Sequence, residues 1–133
     1  MDDARYQLGL QAKQFFLSIL NADCDHICVE NPLPMKVFGF PQHSQTVQPW
    51  MFGHPVTKRT LLWLKDLPPL VPTDIVEPTH PFCPAGTSRK DRAKYGKAPR
   101  GNDRRNRSRT FDGLGRAMAT QWTQYLLGPK GCS

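Results

Sequence analysis

Glu30 is the first residue to weigh for chemistry. It stands in Ile27-Cys-Val-Glu-Asn-Pro32, where a short apolar run meets a carboxylate, an amide and a proline. A carboxylate at the end of a buried strand occupies the place where open α/β sheets receive their ligands. Glu30 therefore reads either as a catalytic acid or as the polar end of a strand, bonded to nearby backbone N–H groups. A second group holds soft metal ligands: Cys24, His26 and Cys28, with His80 and Cys83 further along. Cys24-x-His26-x-Cys28 does not match the paired knuckles of a structural zinc site, and alternation on a strand turns His26 and Cys28 away from Ile27 and Val29. No metal and no cofactor are expected. The four cysteines, Cys24, Cys28, Cys83 and Cys132, follow no regular spacing, so reduced thiols are expected and no disulfide.

The third group is basic. The chain carries 18 Lys and Arg against 11 Asp and Glu, a net charge of +7. Ten of those bases fall in one run, Arg89, Lys90, Arg92, Lys94, Lys97, Arg100, Arg104, Arg105, Arg107 and Arg109, opposed only by Asp91 and Asp103. The other residues hold 8 bases and 9 acids, so the whole excess lies in this segment. Arginine makes bidentate contacts to phosphate, and Tyr95 within the run offers a face on which a base can stack. Nucleic acid, DNA or RNA, is the expected partner. Phosphate contacts fix position without reading sequence, so no sequence specificity is implied. Trp50, Met51 and Phe52 form an aromatic loop that reads as packing over a small sheet, with a base-stacking platform as the alternative.

Elements must position these groups. Residues 3–21 read as an amphipathic helix whose stripe is Leu8, Ala12, Phe15 and Ile19, widened by Phe16 and Leu20. Ile27–Val29 follow as a short buried strand of the parallel α/β kind. Eleven prolines between Pro32 and Pro84 forbid long helices and most central strands there. Ser44–Val47 and Thr60–Lys65 escape and are expected to pair antiparallel across an irregular connection. Residues 86–109 offer almost nothing to bury and read as a mobile basic loop. Phe111, Leu114, Met118, Trp122 and Tyr125 then mark a C-terminal helix over roughly 112–127, with Thr110 as N-cap and Gly128-Pro129 as its stop.

The fold class expected is thus α/β, a small single domain over residues 1–133: N-terminal helix, short parallel-type strand, antiparallel strand pair, long basic loop, C-terminal helix. No apolar run is long enough to span a membrane and the N-terminus lacks a signal-peptide pattern, so no membrane partner and a cytoplasmic location, in the host cell if the chain is phage-borne, are expected.

Five blocks, "VENP" from Val29, "QPWMFGHP" from Gln48, "TLLWLKDLPPLVPTDIVEP" from Thr60, "TSRKDRAKYG" from Thr87 and "RSRTFDGLGRAMATQW" from Arg107, resemble in order the C-terminal half of the DNA cytosine methyltransferase-like proteins of phages and prophages. The resemblance covers about Tyr6 to Trp122. It implies that Glu30 contacts the target base, assisting by hydrogen bonding while a thiolate attacks cytosine C6. It also implies two parts that the chain does not display. An S-adenosylmethionine-binding strand ahead of the helix is missing, and so is a Pro-Pro-Cys nucleophile loop: Pro68-Pro69 precedes Leu70, and Cys83 lies between Phe82 and Pro84. An assisting acid without nucleophile or methyl donor cannot run the reaction, because cytosine C5 stays unreactive until the thiolate adds. The expectation is a non-catalytic, truncated methyltransferase-like fragment that binds nucleic acid. Anti-defence use is implied, as an anti-CRISPR-type inhibitor of a host nuclease that carries nucleic acid. Two alternatives stand: one half of a split cytosine methyltransferase whose second chain supplies the missing parts, and a protein-binding module meeting an acidic surface. A strand deprived of parallel neighbours would leave a bare edge, so a homodimer or a partner-bound state is expected.

Overall fold

Thr60–Lys65 lies in the longest proline-free interval between Pro32 and Pro84, and it becomes the central strand of the sheet. Only a stretch with every backbone N–H present can pair on both sides. A computed structural model describes residues 2–81, 88–92 and 110–128. Its elements are α1 (Asp3–Leu20), β1 (Ile27–Pro32), β2 (Gln45–Val47), β3 (Val56–Thr57), β4 (Thr60–Lys65), β5 (His80–Pro81), α2 (Arg89–Arg92) and α3 (Asp112–Leu127). The chain is a small mixed helix and strand protein with a three-stranded antiparallel sheet and a helix near each end. It divides into two compact units interleaved in sequence, Met1–Val47 with Arg59–Pro69, and Gln48–Lys58 with Leu70–Ser133.

In the first unit the sheet order is β1-β4-β2, and both neighbours of β4 run antiparallel to it. Val29 faces Trp63 and Glu30 faces Leu62 across β1 and β4, while Thr46 faces Leu61 across β2 and β4. The expected pairing of 44–47 with 60–65 is present. The expected parallel-type strand is corrected: β1 is antiparallel, and it extends through Glu30 to Pro32. A parallel pair needs a crossover between two strands. Here α1 precedes β1 without joining it to an earlier strand among the described residues, so the partner comes from the proline-free stretch downstream. Pro32 at the end of β1 is tolerated because β1 is an edge.

Asp2 caps α1, its Oδ1 accepting from the Arg5 N–H at 2.8 Å, and Asp3 in the first turn suits the positive helix end. The buried face of α1 differs from the stripe expected. Phe16 is buried with Leu61 and Trp63, and Leu17, Leu20, Val29 and Phe40 pack against them. Leu8 and Phe15 are exposed, at 64 % and 68 %. The helix carries two apolar stripes, and the one centred on Phe16 wins because it meets aromatic partners. Phe16 sets its ring edge-to-face on Trp63 at 4.8 Å and tilts against Phe40 at the same separation. The Trp63 indole N–H donates to the Pro41 carbonyl at 2.9 Å, which satisfies its polar atom inside the core. Tyr6 stacks on Phe38 one turn from Gly9, where an added Cβ would strike the Phe38 ring.

The second unit is built on extended chain. Val56 and Thr57 of β3 pair in parallel with His80 and Pro81 of β5, and Phe52 bridges Asp74 in the same sense. The Val76 N–H reaches the Trp50 carbonyl at 2.9 Å and the Thr79 N–H reaches Pro55 at 3.1 Å. The proline-rich segment after Leu70 therefore forms a partial ladder. On α3, Leu114 and Ala117 are buried, and Gln121 clamps Val71 with both amide atoms, accepting from its N–H and donating to its carbonyl at 2.8 Å each. Gly113 is required by close approach, since a Cβ there would collide with the Phe52 carbonyl oxygen. Gly113→Ala is expected to lower stability by roughly 1–3 kcal/mol despite the better helix propensity of alanine, read as a shift of the urea midpoint. No helix among the described residues is long and apolar enough to cross a membrane.

Candidate nucleic-acid interface

The basic run enters the described structure at its start. Ser88 caps α2, its hydroxyl accepting from the Asp91 N–H at 3.1 Å and donating to the Asp91 carboxylate at 2.6 Å. This reciprocal arrangement closes a single helical turn. It holds Arg89 and Lys90 exposed on that turn. Within residues 86–109, expected as a loop, Arg89–Arg92 forms a helical turn. Lys94, Tyr95, Lys97, Arg100, Arg104, Arg105, Arg107 and Arg109 lie outside the described residues. After the run, Thr110 leads into α3, where Phe111, and not the expected Thr110, occupies the N-cap position. The Lys58 ammonium lies over the Phe111 ring at 5.9 Å from its centre, and Arg116 is exposed on α3. Sequence reasoning left out Lys58 and Ser88. The Ser88-x-x-Asp91 spacing is a capping signature that was available to find Ser88, whereas no local pattern marks Lys58.

Glu30 sits elsewhere, in the first unit. It is mid-strand on β1 and exposed, on the sheet face opposite the Phe16 cluster, alongside Cys28 and Leu62. The expectation of a carboxylate at a strand end is therefore corrected: two more residues of β1 follow it. Cys28, two residues away on the same face, has its thiol pushed up to about 11, first by burial and second by the negative charge of Glu30. A thiol so raised is a poor nucleophile at neutral pH. The strand that carries the acid thus holds no thiolate beside it.

Of the soft-ligand group, Cys24 and His26 fasten a turn, and Cys83 lies outside the described residues. The Cys24 thiol donates to the His26 carbonyl at 3.2 Å, and the Lys65 ammonium donates to the Cys24 carbonyl at 2.7 Å. His26 Nδ1 lies 2.9 Å from the Asp66 carbonyl oxygen and 3.1 Å from its carboxylate. Asp66 takes the left-handed conformation, with φ at 48°, to end β4. Among the described residues no group of three potential metal ligands comes together. Of the aromatic loop, Phe52 is buried and Trp50 and Met51 are half-buried, so Phe52 serves packing.

Cys24 is exposed and Cys28 is half-buried with a raised pKa, which separates their reactivity. Iodoacetamide at neutral pH is expected to label Cys24 well before Cys28, checked by peptide mass mapping. The sign of the linkage follows from the upward shift. Cys28 leaves stability unchanged below its ordinary value of 9.0, and stability declines as pH rises from there toward about 11, where the unfolded chain ionises and the folded one resists.

Comparison of the chain with models of protein families, with curated proteins and with solved structures finds no match.

Proposed function

We propose that this chain is a non-catalytic binding protein that holds DNA or RNA through the basic run from Arg89 to Arg109. The distribution of charge carries the reading. The first unit holds 5 Lys and Arg against 6 Asp and Glu, and the second holds 13 against 5. Without the run, the second unit falls to 3 against 3. Outside the run the charges of both units therefore nearly balance, and the excess is a single polycationic stretch of the second. Such a segment binds polyanions by releasing their condensed counterions, with little cost in specific geometry. The exposed Arg89 and Lys90 on the capped turn of α2 support this use of the run's first residues.

The non-catalytic half of the reading is supported by the surroundings of Glu30, an exposed mid-strand acid beside a thiol held in its protonated form. Under the proposed methyltransferase-like ancestry, Glu30 is a vestigial or assisting contact and the run is the part of the ancestral grip that persists. A phage-borne chain of this kind would act in counter-defence, covering the nucleic acid of a host nuclease.

The test is fluorescence anisotropy with labelled duplex DNA and, separately, single-stranded RNA, titrated with the whole chain between about 50 and 300 mM salt. Binding at low salt with a steep logarithmic loss of affinity is the expected result for at least one of the two. Failure to bind either at the lowest salt, together with retention on a polyglutamate matrix, would reassign the run to an acidic protein partner.

A further inference from the structure

The N-terminus of α3 lacks a cap from its own sequence, since Phe111 stands at the N-cap position and makes no side-chain bond. The acceptor arrives from much earlier in the chain: His54 Nε2 takes the Gly113 N–H at 3.0 Å. A backbone N–H can only donate, so Nε2 must present its lone pair and the ring proton must sit on Nδ1. The ring is fixed on one side by Phe111, with centroids 5.2 Å apart, and Gly113 lets it approach because a Cβ there would lie 3.1 Å from Nε2.

Imidazole is the side chain whose charge ordinarily changes between pH 5 and 8. Protonation at this position has two effects of the same sign. It abolishes the acceptor, and it sets a cation against the positive end of the α3 dipole. Lys58, whose ammonium lies over the same Phe111 ring, adds to that repulsion. Asp112 in the first turn of α3 and Asp74, whose carboxylate lies beside Gly53, oppose it. Both carboxylates belong to exposed residues, so water screens them, whereas the lost bond is partly buried.

We propose that His54 is a pH-sensitive cap, fastening the first turn of α3 at neutral pH and releasing it in acid. Arg109 directly precedes Thr110, so in sequence this turn is also where the basic run meets α3, whatever that run binds.

Nitrogen NMR on the whole labelled chain tests this. Near pH 7.5 the expected spectrum shows His54 Nε2 as the unprotonated nitrogen, and the protection of the Gly113 amide falls about fivefold on acidification to near pH 5, after correction for the intrinsic exchange rate. His54→Gln, which keeps a carbonyl acceptor and does not titrate, is expected to flatten that dependence. A ring proton found on Nε2 near pH 7.5, or equal Gly113 protection at the two pH values, overturns the proposal. These two readings on the unaltered chain decide the matter even where His54→Gln fails to fold.

Discussion

Replacing Arg104, Arg105 and Arg107 together by alanine is expected to weaken nucleic-acid binding by roughly two orders of magnitude at low salt, taking about 1 kcal/mol for each exposed arginine–phosphate contact. The more telling quantity is the slope. Each neutralised phosphate contributes about 0.9 to the logarithmic salt dependence on duplex DNA, so the triple variant should show a slope shallower by about 2 to 3. Affinity and slope must move together if these arginines work through counterion release. Arg5→Ala and Lys36→Ala are the matched controls, because they remove cations from a unit whose charges already balance. An unchanged slope in the triple variant would place the contact outside the run.

The second large effect concerns two adjacent phenylalanines. Phe16→Ala is expected to cost roughly 3–5 kcal/mol, and Phe15→Ala to stay within about 0.5 kcal/mol, both read as urea midpoints at constant slope. Phe16 is 6 % exposed and touches Trp63 and Phe40, so its removal opens a hole in an aromatic cluster. Phe15 is 68 % exposed and loses only local contacts. Against a total stability of about 5–15 kcal/mol, the first change alone can unfold much of the chain. Equal effects at the two positions would mean that the helix is rotated from the orientation described.

The contrast between Phe15 and Phe16 also shows how far sequence alone reaches. Periodicity locates α1 and α3 to within a residue, and the absence of proline locates β4, because both are local properties of the chain. Periodicity does not choose between two apolar stripes on one helix. Leu8, Ala12, Phe15 and Ile19 repeat as regularly as the stripe that contains Phe16, and only the distant Trp63 and Phe40 decide. The direction of β1 is non-local in the same way, fixed by a strand that begins at Thr60. At the candidate interface the charge run is legible in composition and the Ser88 cap in spacing. The His54 contact to Gly113 has no local signal, since two separate stretches of chain must meet before it exists.

The sheet of the first unit has one further consequence, for biosynthesis. Among the described residues β1 and β2 share no ladder with each other, and each pairs with β4 alone. A nascent polypeptide that ends before Thr60 therefore has a helix and two strands with nothing to zip against. The sheet cannot accrete gradually behind the ribosome. It must close in one event once Thr60–Lys65 has emerged, leaving those edges open to chaperones, or to neighbouring nascent chains, until then.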